Sequence, residues 1–485
     1  MESSYTALKS MMAAPRAQSR KTGTACDRCY ELKERCARVS TVIACTRCER
    51  LELNCTSIRP VRRAGRRPRH GQNTSLGTTP SSQTSTSSNQ SVDIRTWLFD
   101  VPDLSLEEKD LLMLLLARPE HLEYYPVSPS FQAAEQQSLA AALPAALPIL
   151  KHAYLAYAGA LKLLQPGTAT EAEKSASLRY ASSAMNTLRS LPVSSSQDAA
   201  ICLTLGASLA LFVYSVVGVG VADICHYCLS TTNPFLNMGE LGLNSGIRPW
   251  QSVLVLLETM ECLVYRRKPT LRIRLGDPES VDRHLGLCLP LLPFYYDLSD
   301  IGHLQASATD TSYLAHLQKQ LAEIHTAIQA WQPSQPSGFI DRFETAEVVN
   351  LLAQARVYRL AGLLVSHRLR YVFGEQDIQA NIWSKEIMME LELVHRISKN
   401  RIRCVTLPFV VAAVEIQETG ERIKALQNVD EYVDQFTPVV QEATRTFLSR
   451  VWHERDVQIT TCWFDSVYKP CAVLHAIDST CFPLA

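Results

Sequence analysis

From about Asp93 to the end of the chain, apolar side chains recur every three to four residues. Leu314, Leu317, Leu321, Ile324, Ile328 and Trp331 share one face at that spacing, as do Val348, Leu351, Leu352, Ala355, Tyr358 and Leu363. Val440, Ala443, Phe447, Val451 and Trp452 form a third set, with Pro438 placed to open it. A period near that of the helical turn predicts amphipathic α-helices. Proline at the first helical position costs no hydrogen bond, because that N–H has no partner in any case. Ser105 and Glu108 form a capping box ahead of Leu111 to Leu116, which predicts a helix start there. Alternating period-two runs are scarce, and 19 glycines in 485 residues are few for a turn-rich β architecture. This part of the chain is predicted to be a large all-α domain.

Ala199 to Ala222 is a charge-free run of 24 residues, formally long enough to cross a bilayer. Thr204, Ser208, Ser215 and three glycines interrupt it, Asp198 and Asp223 flank it, and neither end carries the basic cluster that orients a membrane helix. It is predicted to be a buried helix, with no membrane as a partner.

The pattern changes upstream. Gln72 to Val92 is uncharged and 12 of its 21 residues are Ser or Thr, too polar to offset the entropy of ordering. The predicted organisation is a disordered arm over 1–19, a Cys-rich module over 20–71, a flexible linker over 72–94 and the helical domain over 95–485. Formal net charge is zero, from 48 basic and 48 acidic residues. That balance hides an asymmetry: residues 1–71 hold 16 Lys and Arg against 6 Asp and Glu, and the remainder holds 32 against 42. A basic head on an acidic body predicts a polyanion-binding module joined to something else.

Chemistry concentrates in Cys26-x2-Cys29-x6-Cys36-x8-Cys45-x2-Cys48-x6-Cys55. It is an internal repeat of period 19: CDRCYELKERC is followed by CTRCERLELNC, and Arg28 with Arg47 and Leu32 with Leu51 coincide as well. In each half Cys-x2-Cys lets two thiolates reach one tetrahedral ion, and a short helix is predicted to carry the third cysteine. Six thiolates cannot fill two independent tetrahedral sites. If the first cysteine of each half bridges, two Zn²⁺ ions each see four sulfurs, and Cys26 and Cys45 are the bridges. So small a module has almost no apolar interior, so the metal is expected to fold it; Leu32 is expected to pack on Leu51 inside. Three disulfides are the alternative. They need an oxidising compartment, and no signal-peptide pattern opens the chain.

The cysteine spacing, Asp27 after the first cysteine and Lys33 before the third are similar to those of the fungal zinc binuclear cluster (Zn2Cys6) transcription factors, over about residues 24–58. The resemblance implies a nuclear, sequence-specific regulator of RNA polymerase II genes. Its first helix would enter the major groove of double-stranded DNA at CGG-type triplets, and the transcription machinery or co-regulators would be further partners. At matching positions the first half has Lys33 and Arg35 where the second has Glu52 and Asn54. Guanine presents acceptors in the major groove, so Lys33 is expected to read the base. Arg28, Arg35 and Arg38 are expected to hold phosphates. Tyr30, Glu31, Leu32 and Glu34 depart from the basic run usual in the family, and Ala37 to Ala44 lacks its usual proline. Those acids favour a second reading, a co-regulator that keeps the zinc cluster without reading DNA.

Downstream, Arg59 to Arg69 packs six arginines into 11 residues. Arg62, Arg63, Arg66 and Arg67 are expected to track phosphates, and the run doubles as a nuclear import signal; Gly65 to Pro68 resembles an AT-hook. The helical domain resembles the fungal-specific transcription factor domain through Pro148 to Leu164, Leu203 to Val217 and Leu407 to Ala413 ahead of Glu421-Arg-Ile. That implies a regulatory domain serving a metabolic or secondary-metabolite gene set, without naming site residues. No clean heptad run follows the cluster, so the sequence leaves a homodimer open. Cys225-His-Tyr-Cys228 is a single CxxC and is expected to be core. Gly218-Val-Gly220 is expected to serve helix packing, and Asp100 to Leu116 to be the first helix of the body rather than an activating segment. No GxSxG, HExxH, P-loop or kinase set occurs, and the 12 histidines lack ligand spacing. The chain is not expected to be an enzyme.

Overall fold

The computed structural model describes residues 25–27, 29, 32–33, 36, 44–51, 53–56, 94–117, 119–122, 125–165, 170–237, 248–275 and 280–463. The chain separates into two units, Met1–Ser88 and Asn89–Ala485. The described residues are mostly helical and contain no strand; an isolated bridge between Asp282 and Gly286 is the only β pairing among them. The first unit holds one described helix of some length, α1 (Thr46–Arg50).

The second unit is a helical stack. It begins with α2 (Ile94–Asp100), α3 (Leu106–Leu116), α4 (Gln132–Ala145), α5 (Leu147–Leu163), α6 (Glu171–Ser190), α7 (Ser196–Val216), α8 (Val221–Asn237) and α9 (Arg248–Val264). It continues through α10 (Leu292–Ser307), α11 (Thr311–Ala330), α12 (Phe339–Arg342), α13 (Thr345–Arg368), α14 (Asp377–Ser398), α15 (Thr406–Val414), α16 (Thr419–Gln427), α17 (Val429–Tyr432) and α18 (Pro438–Asp456). The three-to-four spacings fall on α11, α13 and α18, and Ser105 with Glu108 closes both bonds of the capping box on α3. Leu112, Leu115 and Leu116 of α3 are buried, which makes it a core helix of the body.

Helices apolar all round must be covered all round. In α5 every residue from Ala153 to Leu161 is buried, packed among α3, α6 and α7. α7 is enclosed by α5, α8, α9 and α18, and α13 by α11, α14 and α15. By length and composition α7 and α13 could cross a membrane, but 78% and 67% of their most apolar windows are buried here, matched by neighbouring helices. The charge-free run is two helices rather than one. Gly218 (φ 79°) and Gly220 (φ 81°) take the left-handed conformation that ends α7 and lets α8 begin. A Cβ on Gly218 would stand 2.7 Å from Val439 Cγ1, so the turn also lets α18 approach.

One buried ionic cluster binds the later helices. Arg368, at the end of α13, donates to Glu415 (Nε–Oε1 2.8 Å, Nη2–Oε2 2.6 Å) and to Asp377 Oδ1 (2.7 Å). Arg455 of α18 reaches Asp377 Oδ2 at 3.2 Å. A buried arginine is tolerated because two carboxylates and two carbonyls, of Val372 and Glu375, take its donors. Cys225 and Cys228 are fully buried, and Cys228 Sγ fills the space where a Cβ on Gly206 would sit, at the crossing of α7 and α8.

Candidate metal centre

The two halves of the cysteine repeat fold alike at their sulfurs. The N–H of Cys29 donates to Cys26 Sγ (3.5 Å), and 19 residues on, that of Cys48 donates to Cys45 Sγ (3.4 Å). The N–H of Cys26 donates to Cys36 Sγ, and that of Cys45 to Cys55 Sγ, both at 3.4 Å. The sequence repeat is therefore a repeat of N–H···S bonds. Cys45 is the N-cap of α1, which fixes its thiol over the first turn. The ends of the module are tied by Asp27 N–H to Thr56 O, 2.9 Å.

Cys26, Cys29, Cys45 and Cys48 are fully buried, and their sulfurs all lie within 4.8 Å of one another. Cys26–Cys45 and Cys26–Cys48 are 3.8 Å apart and Cys29–Cys45 3.7 Å. A tetrahedral ion bound to sulfur at about 2.3 Å needs a sulfur–sulfur edge of about 3.8 Å. These four cysteines could hold a metal ion. Cys36, half-buried, lies against Cys26 and Cys45, and Cys55 against Cys26 and Cys48.

The thiols divide by acidity. The N–H of Cys48 above all brings Cys45 down to about 6, against the opposing effect of burial. At Cys26 burial pushes the other way, but the N–H of Cys29 and the neighbouring thiols outweigh it, and the value falls. Burial and adjacent sulfurs raise Cys29 to about 12, and Cys45 and burial raise Cys48. So the thiols at the head of each half ionise first, and their charge holds the others protonated. A bound metal ion would ionise the thiols that coordinate it. An all-sulfur donor set suits a soft or borderline ion such as zinc.

Three expectations change here. Neither third cysteine rides on a helix: α1 ends at Arg50, Leu51 caps it, and Leu53 to Thr56 are non-helical. Leu53 N–H returns to Cys48 O (2.9 Å), the bend that swings Cys55 back to Cys45. Leu32 and Leu51 are 55% and 44% exposed, because sulfur fills the interior and leaves no space for a leucine pair. Lys33 is exposed, but it stands in a turn with φ 52°, the left-handed conformation of a helix terminus rather than a helical position. Arg28, Arg35, Arg38, Arg62, Arg63, Arg66 and Arg67 lie outside the described residues, as does the Ser/Thr-rich linker. What the sequence did not disclose is the role of backbone N–H groups in setting which thiols ionise. Cys-x2-Cys at the start of a helix was the available signal. No family model, no curated protein and no solved structure matches this chain.

Proposed function

We propose that the chain is a nuclear transcription regulator of the Zn2Cys6 type. The observation that supports it best is the 19-residue repeat of six cysteines with its matching repeat of N–H···S bonds. Cys26 and Cys45, the first cysteine of each half, lie 3.8 Å apart, and each also touches the second cysteine of the other half. One zinc ion would be held by Cys26, Cys29, Cys36 and Cys45, and a second by Cys26, Cys45, Cys48 and Cys55. The metal supplies the charge that fixes all six thiolates and so orders the module. The protein's own residues then do the reading.

Lys33, exposed just past the equivalent of the α1 cap, is the base-reading residue in this proposal, since its ammonium can donate to guanine O6 or N7. The arginines of the module and of the Arg59–Arg69 run hold phosphates, and that run directs the protein to the nucleus. The helical unit is its regulatory part and performs no catalysis.

The test is binding of the full-length, metal-loaded protein to a CGG-containing duplex and to a scrambled one at fixed salt. We expect preference for the CGG duplex, with about 1–3 kcal/mol of that discrimination lost in Lys33→Ala at unchanged zinc content. Equal affinity for both duplexes would overturn the DNA-reading role and leave the co-regulator reading.

A further inference from the structure

The helical unit contains an open cavity of about 580 Å³ between α11, α13 and the start of α14. The size is that of a site for a small organic molecule. Trp383 of α14 lines it, with the His325 ring centroid 5.6 Å and the His367 centroid 5.5 Å from that of the indole. Tyr371 extends the wall, 4.9 Å from His367. Burial and Arg368 bring His367 down to about 4, and burial and Arg370 lower His325. Both rings are therefore neutral at neutral pH and offer flat, uncharged faces.

The charges around this wall are unevenly used. Arg359 donates to the carbonyls of Ile328 and Gln329 at the end of α11. Arg368 points away into Glu415 and Asp377. Arg370 lines the cavity, stacks over Tyr371 at 5.5 Å and has no carboxylate partner among the described residues. The rim beside it is held in an uncommon conformation. Gln376, a non-glycine at φ 50°, presents its carbonyl to His367 Nε2 at 3.2 Å, which places the ring proton on that nitrogen. Strain of this kind persists where the surroundings over-determine it, and it collects at binding sites.

We propose that this cavity binds a flat aromatic monocarboxylate, its ring against Trp383 and its carboxylate paired with Arg370. A guanidinium over an aromatic rim suits a planar carboxylate, which it can grip with two parallel hydrogen bonds. A phosphate dianion fits less well, because the carboxylate of Glu386 lines the same cavity. The site lies within the helical unit and does not rest on the DNA-binding reading.

The experiment is calorimetric titration of the full-length protein with 2-naphthoate, and in parallel with neutral 2-naphthamide and cationic 2-naphthylmethylamine. We expect 2-naphthoate to bind tightest. Arg370→Gln should weaken it about tenfold or more while leaving 2-naphthamide unchanged, since a charge-assisted pair is lost. Trp383→Leu should weaken both by a similar factor of several-fold, through loss of the stacking face. Melting curves of both variants matching the parent keep folding apart from binding, and Gln379→Ala on the same wall serves as a second variant should Trp383→Leu melt early. Binding of 2-naphthoate unaffected by Arg370→Gln would overturn the proposal. So would no preference over 2-naphthamide, preference for the amine, which would assign the site to Glu386, or no binding of any of the three.

Discussion

In the unit that ends at Ser88 the buried residues described are thiols, while its leucines at 32 and 51 face solvent. In the unit from Asn89 on, the buried residues are leucines, valines, alanines and aromatic rings drawn from nearly every helix. Among its described residues only Leu53 packs on the sulfurs, so on the proposed reading the first depends on what its donors bind. The second loses water from its apolar faces whether or not anything binds. If the proposed metal centre holds, one chain joins a fold whose stability is a ligand's affinity to one whose stability is packing. The largest test of that contrast is Cys26→Ala in the full-length protein. It removes one of the two thiols proposed to bridge, so on that reading we expect both zinc ions and all sequence-selective DNA binding to be lost, with the melting of the helical unit unchanged. Cys228→Ala, a core cysteine of α8, should leave zinc content as it was. Metal analysis and thermal melts read both outcomes; both zinc ions retained in Cys26→Ala would show that Cys26 is not shared between them.

The converse substitution is next in size. Phe212 of α7 is fully buried among α-helices on several sides, and Phe212→Ala should cost about 3–5 kcal/mol through lost burial and the cavity left behind. Denaturant unfolding should show that loss in the main helical transition, with the metal content of the parent unchanged. A variant that also sheds zinc would mean that the metal module depends on the helical unit for its stability.

What could be read in the sequence was local or periodic. The capping box of Ser105 and Glu108, the face of α11 from Leu314 to Ile328 and the start of α18 at Pro438 depend on neighbours within one or two turns, and each is found in the fold. The pairing of cysteines was legible because the repeat places equivalent atoms at a fixed interval. The misread parts depend on backbone conformation or distant contacts. Lys33 at positive φ and the return of Cys55 by way of Leu53 follow from where a short helix stops, which residue type hardly constrains. The two glycines at 218 and 220 signalled a break that the apolar run around them concealed. Trp383, His325 and His367 come from three helices, and Arg368, Asp377, Glu415 and Arg455 from four segments, so no spacing along the chain announces either group.

The smallest effect expected sharpens the comparison from inside the packed unit, where a pair of ionisable groups is buried with little to satisfy it. Glu135 of α4 and His284 are both nearly inaccessible, with Oε1 and Nε2 3.7 Å apart, an ionic contact too long for a hydrogen bond. Arg283 lies 3.4 Å from the other carboxylate oxygen, and Asp282 and the hydroxyls of Tyr154 and Tyr157 complete the surroundings. Burial alone would push both groups toward neutrality. His284 and Arg283 overcome it and lower Glu135, while Glu135, with Asp282, overcomes it and raises His284. A lowered carboxylate stabilises the fold above the ordinary Glu value, about 4.3, and that contribution is lost as pH falls through the folded value. A raised histidine stabilises it below the ordinary His value, about 6.5, and that contribution is lost as pH rises through the folded value. The pair therefore contributes fully between about 4.3 and 6.5 and fades on either side, by no more than about 1.4 kcal/mol per pH unit for each group. Unfolding of the parent and of Glu135→Gln, measured from pH 4 to 8, should differ most inside that window and less at either end. A difference that does not vary with pH would show the pair to be uncharged, and would make this site one more part of a core held by packing alone.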